Sequence, residues 1–157
     1  VGSATNYEFV VTEYRRSRAL SKTYLHVANI VGAGLSASFE VIVAGTTSSV
    51  VVNSYFHVMT NHYYDIAIRA FGGDYTDTKI KIVTDGNDNC SVYLATNHNN
   101  SPTCSITIRP HQHTTSVDMS PSTAYSTAYL ECNQNAHGET LVSTGAATAG
   151  SGPSTGF

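Results

Sequence analysis

The chain has 157 residues, of which 12% are charged and 41% hydrophobic, with no Trp and a formal charge of -3. That is one domain's length at about half the usual ~25% charge, which excludes a charged helical bundle, a coiled coil and a basic nucleic-acid binder. No apolar run reaches the ~18 residues of a membrane-spanning helix, and Thr, Ser, Asn and Tyr, which suit pleated surfaces and turns, stand where charge would be.

Along the chain the dominant period is two rather than 3.6. The N-terminus has no initiator Met, no basic segment and no apolar segment, so the expectation is a piece of a longer parent chain without a signal peptide. Tyr7-Glu8-Phe9-Val10-Val11 reads as a first strand, followed by the basic cluster Arg15, Arg16 and Arg18. Residues 23–30 alternate and are broken by Gly32 and Gly34. Phe39, Val41 and Val43 alternate with Glu40, Ile42 and Ala44, and a long β-branched and aromatic run covers 50–59. Residues 63–71 read as a strand in which Tyr63 and Tyr64 point to opposite faces. Lys79-Ile80-Lys81-Ile82-Val83 reads as a strand with one wet face, a sheet edge guarded by lysine. Asp85-Gly86 is the strongest hairpin dipeptide, and strands follow at 91–95 and 105–109. Weaker strands are expected at 124–131 and 139–143.

The expected fold is all-β, an antiparallel β-sandwich or jelly roll of about eight strands. Residues 1–22 are read as an N-terminal strand and connection, 23–144 as the sandwich, and 145–157 as a flexible C-terminal tail. The expected core is Leu25, Val27, Phe39, Val41, Val43, Val51, Ile66, Ile68, Ile80, Ile82, Val92, Leu94, Ile106 and Ile108.

Seven histidines and ten tyrosines are the unusual counts. In an extended chain residues i and i+2 project to one side, so His111 and His113 can reach one metal ion. Three chains around a threefold axis would supply six nitrogens, which suits an octahedral transition metal. The alternative is two exposed histidines in a polar loop, and no other cofactor is expected. Cys90, Cys104 and Cys132 form neither a metal pattern nor a dense disulfide framework. They read as buried thiols, with a Cys90–Cys104 bridge as the alternative.

Asp65, Asp74, Asp77, Asp85 and Asp88 sit mostly in turns, where Asp caps the backbone. The chain is therefore not expected to be an enzyme. Exposed Tyr with Asn and His suits a sugar, because a flat apolar face takes the ring and short polar groups take the hydroxyls. Tyr75, Asn87, Asn97, His98 and Asn99 lie on the most polar loop tips and are the candidate binding residues.

Residues 24–115 resemble the C-terminal jelly-roll domains of tailed-bacteriophage fibres. The resemblance rests on Tyr24-Leu25-His26-Val27, Phe39-Glu40-Val41-Ile42-Val43, Tyr64-Asp65-Ile66-Ala67-Ile68-Arg69, Lys79-Ile80-Lys81-Ile82-Val83, Val92-Tyr93-Leu94 and Ile106-Thr107-Ile108, and on the same Thr-, Ser-, Asn- and Tyr-rich texture. His111-Gln112-His113 is similar to the His-x-His iron ligands on the trimer axis of some fibre tips. The resemblance implies a homotrimer at the distal end of a virion tail fibre, assembled in the host cytoplasm with reduced thiols. It implies receptor binding to a bacterial surface polysaccharide or an outer-membrane protein, with no nucleic-acid partner and no membrane insertion. The alternative is a structural decoration or baseplate domain that binds no receptor.

Overall fold

A computed structural model describes residues 12–34, 36–72, 76–85, 88–126, 128–134, 140–143 and 155–157. The strand expected at 7–11 lies outside the described residues. The fold is all-β, as the period of two implies, with eleven strands among the described residues instead of about eight: β1 Tyr14–Ala19, β2 Leu25–Gly32, β3 Ser36–Thr46, β4 Val51–Asn61, β5 Ile66–Gly72, β6 Thr78–Thr84, β7 Asn89–Thr96, β8 Thr103–Pro110, β9 Thr114–Asp118, β10 Ala128–Asn133 and β11 Thr140–Ser143. They form a six-stranded sheet in the order β1-β8-β3-β4-β5-β11 and a five-stranded sheet in the order β10-β6-β7-β2-β9. Every pairing among the described strands is antiparallel, so the architecture is a β-sandwich.

The core lies between the sheets. Phe39, Val41, Val43, Phe56, Val58, Ile66, Ile68, Ile80, Ile82, Val92, Leu94, Ile106 and Ile108 are all buried. Burying each such side chain stabilises the fold by ~1.5–3 kcal/mol. Two residues of the expected core differ. Leu25 is only partly buried and packs at its margin. Val51 is 38% exposed, and Val52 is buried in its place. The Val50-Val51-Val52 run has no internal alternation from which to read its phase. Pairing with β3 sets that phase, since Val43 lies opposite Ser54 and Val41 opposite Phe56. Even-numbered β4 residues therefore turn inward.

Other local differences have physical causes. The strand expected at 63–71 begins later, because the Asn61 side chain organises a turn. Its Oδ1 accepts from the backbone N–H groups of Tyr63 and Asp65 at 2.9 and 3.1 Å, and its Nδ2 donates to Asp65 at 2.9 Å. Tyr64 in that turn takes a φ of 66°. In β2 a bulge between His26 and Ala28 leaves both Val27 and Ala28 buried, breaking the clean alternation. Strand β6 is not a sheet edge but lies between β10 and β7, and Lys81 is covered rather than wet. The basic cluster forms the true edge strand β1, which pairs with β8 and sets arginines along that edge.

The sandwich thus takes in residues 14–19, ahead of the expected boundary at 23. Within the segment read as a tail, Thr155 accepts from the Tyr24 backbone N–H at 2.8 Å and the Phe157 N–H donates to the Lys22 carbonyl at 2.8 Å. Cys90, Cys104 and Cys132 are free and buried, not bridged. Burial pushes the thiols of Cys104 and Cys132 up to about 11, which keeps them protonated and unreactive near neutral pH.

The core assignment has a direct check. Phe39→Ala should lower the unfolding free energy by about 3–5 kcal/mol in urea denaturation. Val51→Ala should change it by no more than ~0.5 kcal/mol.

Candidate functional site

Three of the five expected tip residues share one concavity. Lys22, Asn97, His98, Asn99 and Asn100 line a cleft of about 280 Å³. The loop carrying them joins β7 to β8. It is held at its start by the Thr96 N–H donating to Ser21 at 2.8 Å and the Asn97 N–H donating to Asp77 at 2.9 Å. The Leu20 N–H donates to Pro102 at 3.1 Å and ties down its other end. Thr96 Oγ1 adds a bond to the Leu20 carbonyl at 3.1 Å. His98 Nδ1 accepts from the Asn100 backbone N–H at 3.1 Å, which leaves the proton of the neutral ring on Nε2. The cleft therefore presents amide donors and acceptors, an imidazole and an ammonium, and among the described residues no carboxylate stands in its lining. Tyr75 and Asn87, the other two expected tip residues, lie outside the described residues.

His111 and His113 do not share the extended geometry that would aim both rings at one ion. His113 has a φ of 67°, and residues 112–113 form a turn between β8 and β9. The His111 Nε2 pairs with Glu40 at 2.6 Å. The His113 carbonyl accepts from the Ala33 N–H at 2.6 Å, and its ring lies against Gly34, where an added Cβ would stand 3.2 Å from Nδ1. Among the described residues no group of three or more His, Cys, Asp or Glu is placed to hold a metal ion.

A second surface emerges from strand register. On the outer face of the six-stranded sheet Arg109 stands opposite Glu40, Glu40 opposite His57, and His57 opposite Arg69. Glu13 extends this row by accepting from Arg109 Nε at 2.6 Å. The next row runs Arg15, Thr107, Ile42, Tyr55 and Phe71. Tyr55 and Phe71 have ring centroids 5.9 Å apart at 48°. From Glu13 through Arg109 to Glu40 the first row alternates in sign, so these three charges have opposite neighbours.

Glu40 is the hub of that face. It accepts from the Tyr55 hydroxyl and pairs with His111. Burial works against its ionisation, but the hydrogen bonds from Tyr55 and His111 and the charges of His111 and Arg109 outweigh it, holding the carboxyl below the usual range. Burial first, and then the Glu40 bond and charge, push the Tyr55 phenol up to about 12. The His57 ring lies 5.7 Å from His111, and its Nε2 is 3.4 Å from Ser38 Oγ. Burial, and then the neighbouring His111, lower its pKa. Ser38 and His57 have the composition of a nucleophile–base pair, but the orienting carboxylate of a triad is here bonded to Tyr55 and His111.

On the other sheet Lys81 is clamped between aromatic rings. Its Nζ lies 4.8 Å from the Tyr24 ring centroid and 4.5 Å from that of Tyr93. His26 stacks on Tyr93 at 4.6 Å, and Tyr24 donates to Glu131 at 2.8 Å. This cation–π stack covers a sheet face.

No protein-family model and no curated protein matches the chain. Among solved structures it is similar to Pantoea stewartii WceF, described as a glycan biofilm modifying enzyme with a bacteriophage tailspike-like parallel β-helix fold. The TM-score is 0.51 at 13% identity, over 88% of this chain and 26% of that one. The chain thus spans about a quarter of that protein's length, and the likeness is one of fold.

The lowered values of His57 and Glu40 give stability a sign with pH. Both groups bind protons more readily when unfolded, so the stability they contribute is complete above their unfolded values, ~6.5 and ~4.3. It is lost as pH falls through the lower folded values. Urea midpoints should therefore start to fall below about pH 6.5 and fall further below about pH 4.3. His57→Gln should flatten the first decline and Glu40→Gln the second.

Proposed function

We propose that this chain is a non-enzymatic glycan-binding domain of a phage tail-fibre or tailspike type of assembly, recognising a polysaccharide of a bacterial surface. The observation that carries this reading is the cleft lined by Lys22 and Asn97 to Asn100. Vicinal hydroxyls each need a donor and an acceptor, and carboxamides supply both from one short, stiff side chain. The imidazole of His98 is already oriented by its bond from Asn100, so it enters binding with little rotamer freedom left to lose. Backbone bonds at both ends of the loop fix the cleft to the sandwich, as recognition by loops on a rigid scaffold requires.

Two features favour binding over cleavage. Glycoside hydrolysis uses a pair of carboxyl groups flanking the bond, and among the described residues the cleft lining has none. On the sheet face, Glu13 and Glu40 are engaged by Arg109, Arg15, Tyr55 and His111. The fold likeness to a protein described as glycan-modifying and tailspike-like supports a setting at a bacterial glycan. In this reading the domain works as a homotrimer, in which three weak sites act together through avidity.

Three measurements test this. The chain should bind on an array of bacterial surface polysaccharides, and Asn97→Ala with Asn99→Ala should weaken that binding about tenfold or more, each ~1.4 kcal/mol counting as tenfold. Native mass should be that of a trimer. Incubation with the bound glycan should release no reducing ends. Undiminished binding by the double variant would remove the cleft from the site.

A further inference from the structure

We infer that the cleft of Lys22 and Asn97 to Asn100 selects saccharide units that carry a carboxylate, with the Lys22 ammonium as the selecting group. This rests on the glycan reading of the cleft and names the class of sugar it takes.

The polar side chains of the cleft are unspent. Among the described residues no hydrogen bond or ion pair engages the Lys22 ammonium, and none engages the carboxamides of Asn97, Asn99 and Asn100. All four residues are exposed. Lys79, by contrast, donates to the Gly156 carbonyl at 3.2 Å and lies 5.4 Å from the centroid of the Phe157 ring. The backbone beneath Lys22 is fixed on both sides. The Ser21 carbonyl accepts from the Thr96 N–H at 2.8 Å, and the Lys22 carbonyl accepts from the Phe157 N–H at 2.8 Å. Thr23 forms a β-bridge with Gly156. The ammonium thus hangs from an anchored stem beside the loop.

The balance of donors and acceptors decides the class of sugar. An ammonium brings three donors and no acceptor, and a carboxamide two donors for one acceptor oxygen. His98 Nδ1 already accepts from the Asn100 N–H at 3.1 Å, so the neutral ring adds only its Nε2 proton. The side chains of the lining are therefore rich in donors. A sugar hydroxyl brings a donor of its own and matches such a surface only in part. A carboxylate is acceptor-only, and its charge-assisted bond to an ammonium is about twice as strong as a neutral one. One carboxylate can meet Lys22 and a neighbouring amide together. Among the described residues no carboxylate in the lining competes for these donors; Asp77 meets the loop through its carbonyl, which accepts from the Asn97 N–H at 2.9 Å. The protein as a whole carries -3, which repels a polyanion at long range, so selection works by local contact rather than general attraction.

The test is binding of the full chain to an array of uronate-containing bacterial capsular polysaccharides, each in its native form and with its carboxyl groups reduced to primary alcohols, beside neutral polysaccharides. Reduction keeps rings and linkages and removes only the charge. At least one native form is expected to bind about tenfold or more tighter than its reduced form, and this binding should weaken as salt rises. Lys22→Gln should close most of that gap and flatten the salt dependence, whereas Lys22→Arg should keep both. Melting temperatures should match the unaltered chain, since Lys22 is exposed. Asn97→Ala with Asn99→Ala should weaken native and reduced forms alike. Equal binding of native and reduced forms, or binding of neutral polysaccharides alone, overturns the inference and leaves the glycan reading of the cleft standing. A native preference that survives Lys22→Gln also overturns it. Absence of binding to every polysaccharide on the array overturns both.

Discussion

Phe39, Val41 and Val43 on β3, and Phe56 and Val58 on β4, turn inward to share one core with Ile80, Ile82, Val92 and Leu94 of the opposite sheet. A strand's side chains alternate strictly, so a slip of one residue would put Glu40, Tyr55 and His57 into that core. Burying an unpaired carboxylate costs far more than any surface contact returns. Core burial therefore fixes the register, and the register fixes which residues line up outside. The row Glu13, Arg109, Glu40, His57 and Arg69 and the row ending in Tyr55 and Phe71 are consequences of the packing beneath them. They are as rigid as the packing is.

The scarcity of charge acquires a meaning in this frame. With 12% charged residues, the described surface has few ions to distribute. Yet two Glu and three Arg, Arg15, Arg69 and Arg109, meet on one sheet face. Isolated exposed ion pairs contribute little, ~0–1 kcal/mol, so stability does not account for the concentration. What the rows do provide is a set of side chains with settled rotamers. Glu40, bonded by Tyr55 and by His111 from the far end of β8, also ties the β8–β9 turn to the sheet. The His111 N–H reinforces this by donating to the Ser38 carbonyl at 2.8 Å.

The fold class was legible because the alternation at Phe39/Val41/Val43, Ile66/Ile68, Ile80/Ile82 and Ile106/Ile108 is strong and local. Where the local signal fails, pairing decides: the phase of Val50 to Val52 comes from β3, and the bulge at His26 from the partner strand β7. Strand β1 was hidden behind its arginines, which mark an edge instead of a loop. Asn97, His98 and Asn99 could be read as a site because a loop cleft is built from neighbours in sequence. The outer row of Arg109, Glu40, His57 and Arg69 could not, since these residues come from four strands and are juxtaposed only by register. The pairing of His111 with Glu40, 71 residues apart, is of the same kind. The turn at His113 defeats the extended geometry that the His-x-His spacing suggested, since its φ of 67° is left-handed backbone, outside what a strand adopts.

The cleft proposed for saccharides is shallow, and shallowness sets how such a domain must work. A site that covers one face of a ring buries little apolar area, so affinity per site is limited by what ordering the protein costs. Here that cost is small. The cleft loop is tied down at both ends by backbone bonds to a sandwich whose register the core enforces. Rigid, weak and exposed sites gain most from repetition, because the second contact of a tethered array is made at high effective concentration. A polysaccharide offers the matching repetition, since the same unit recurs along its length.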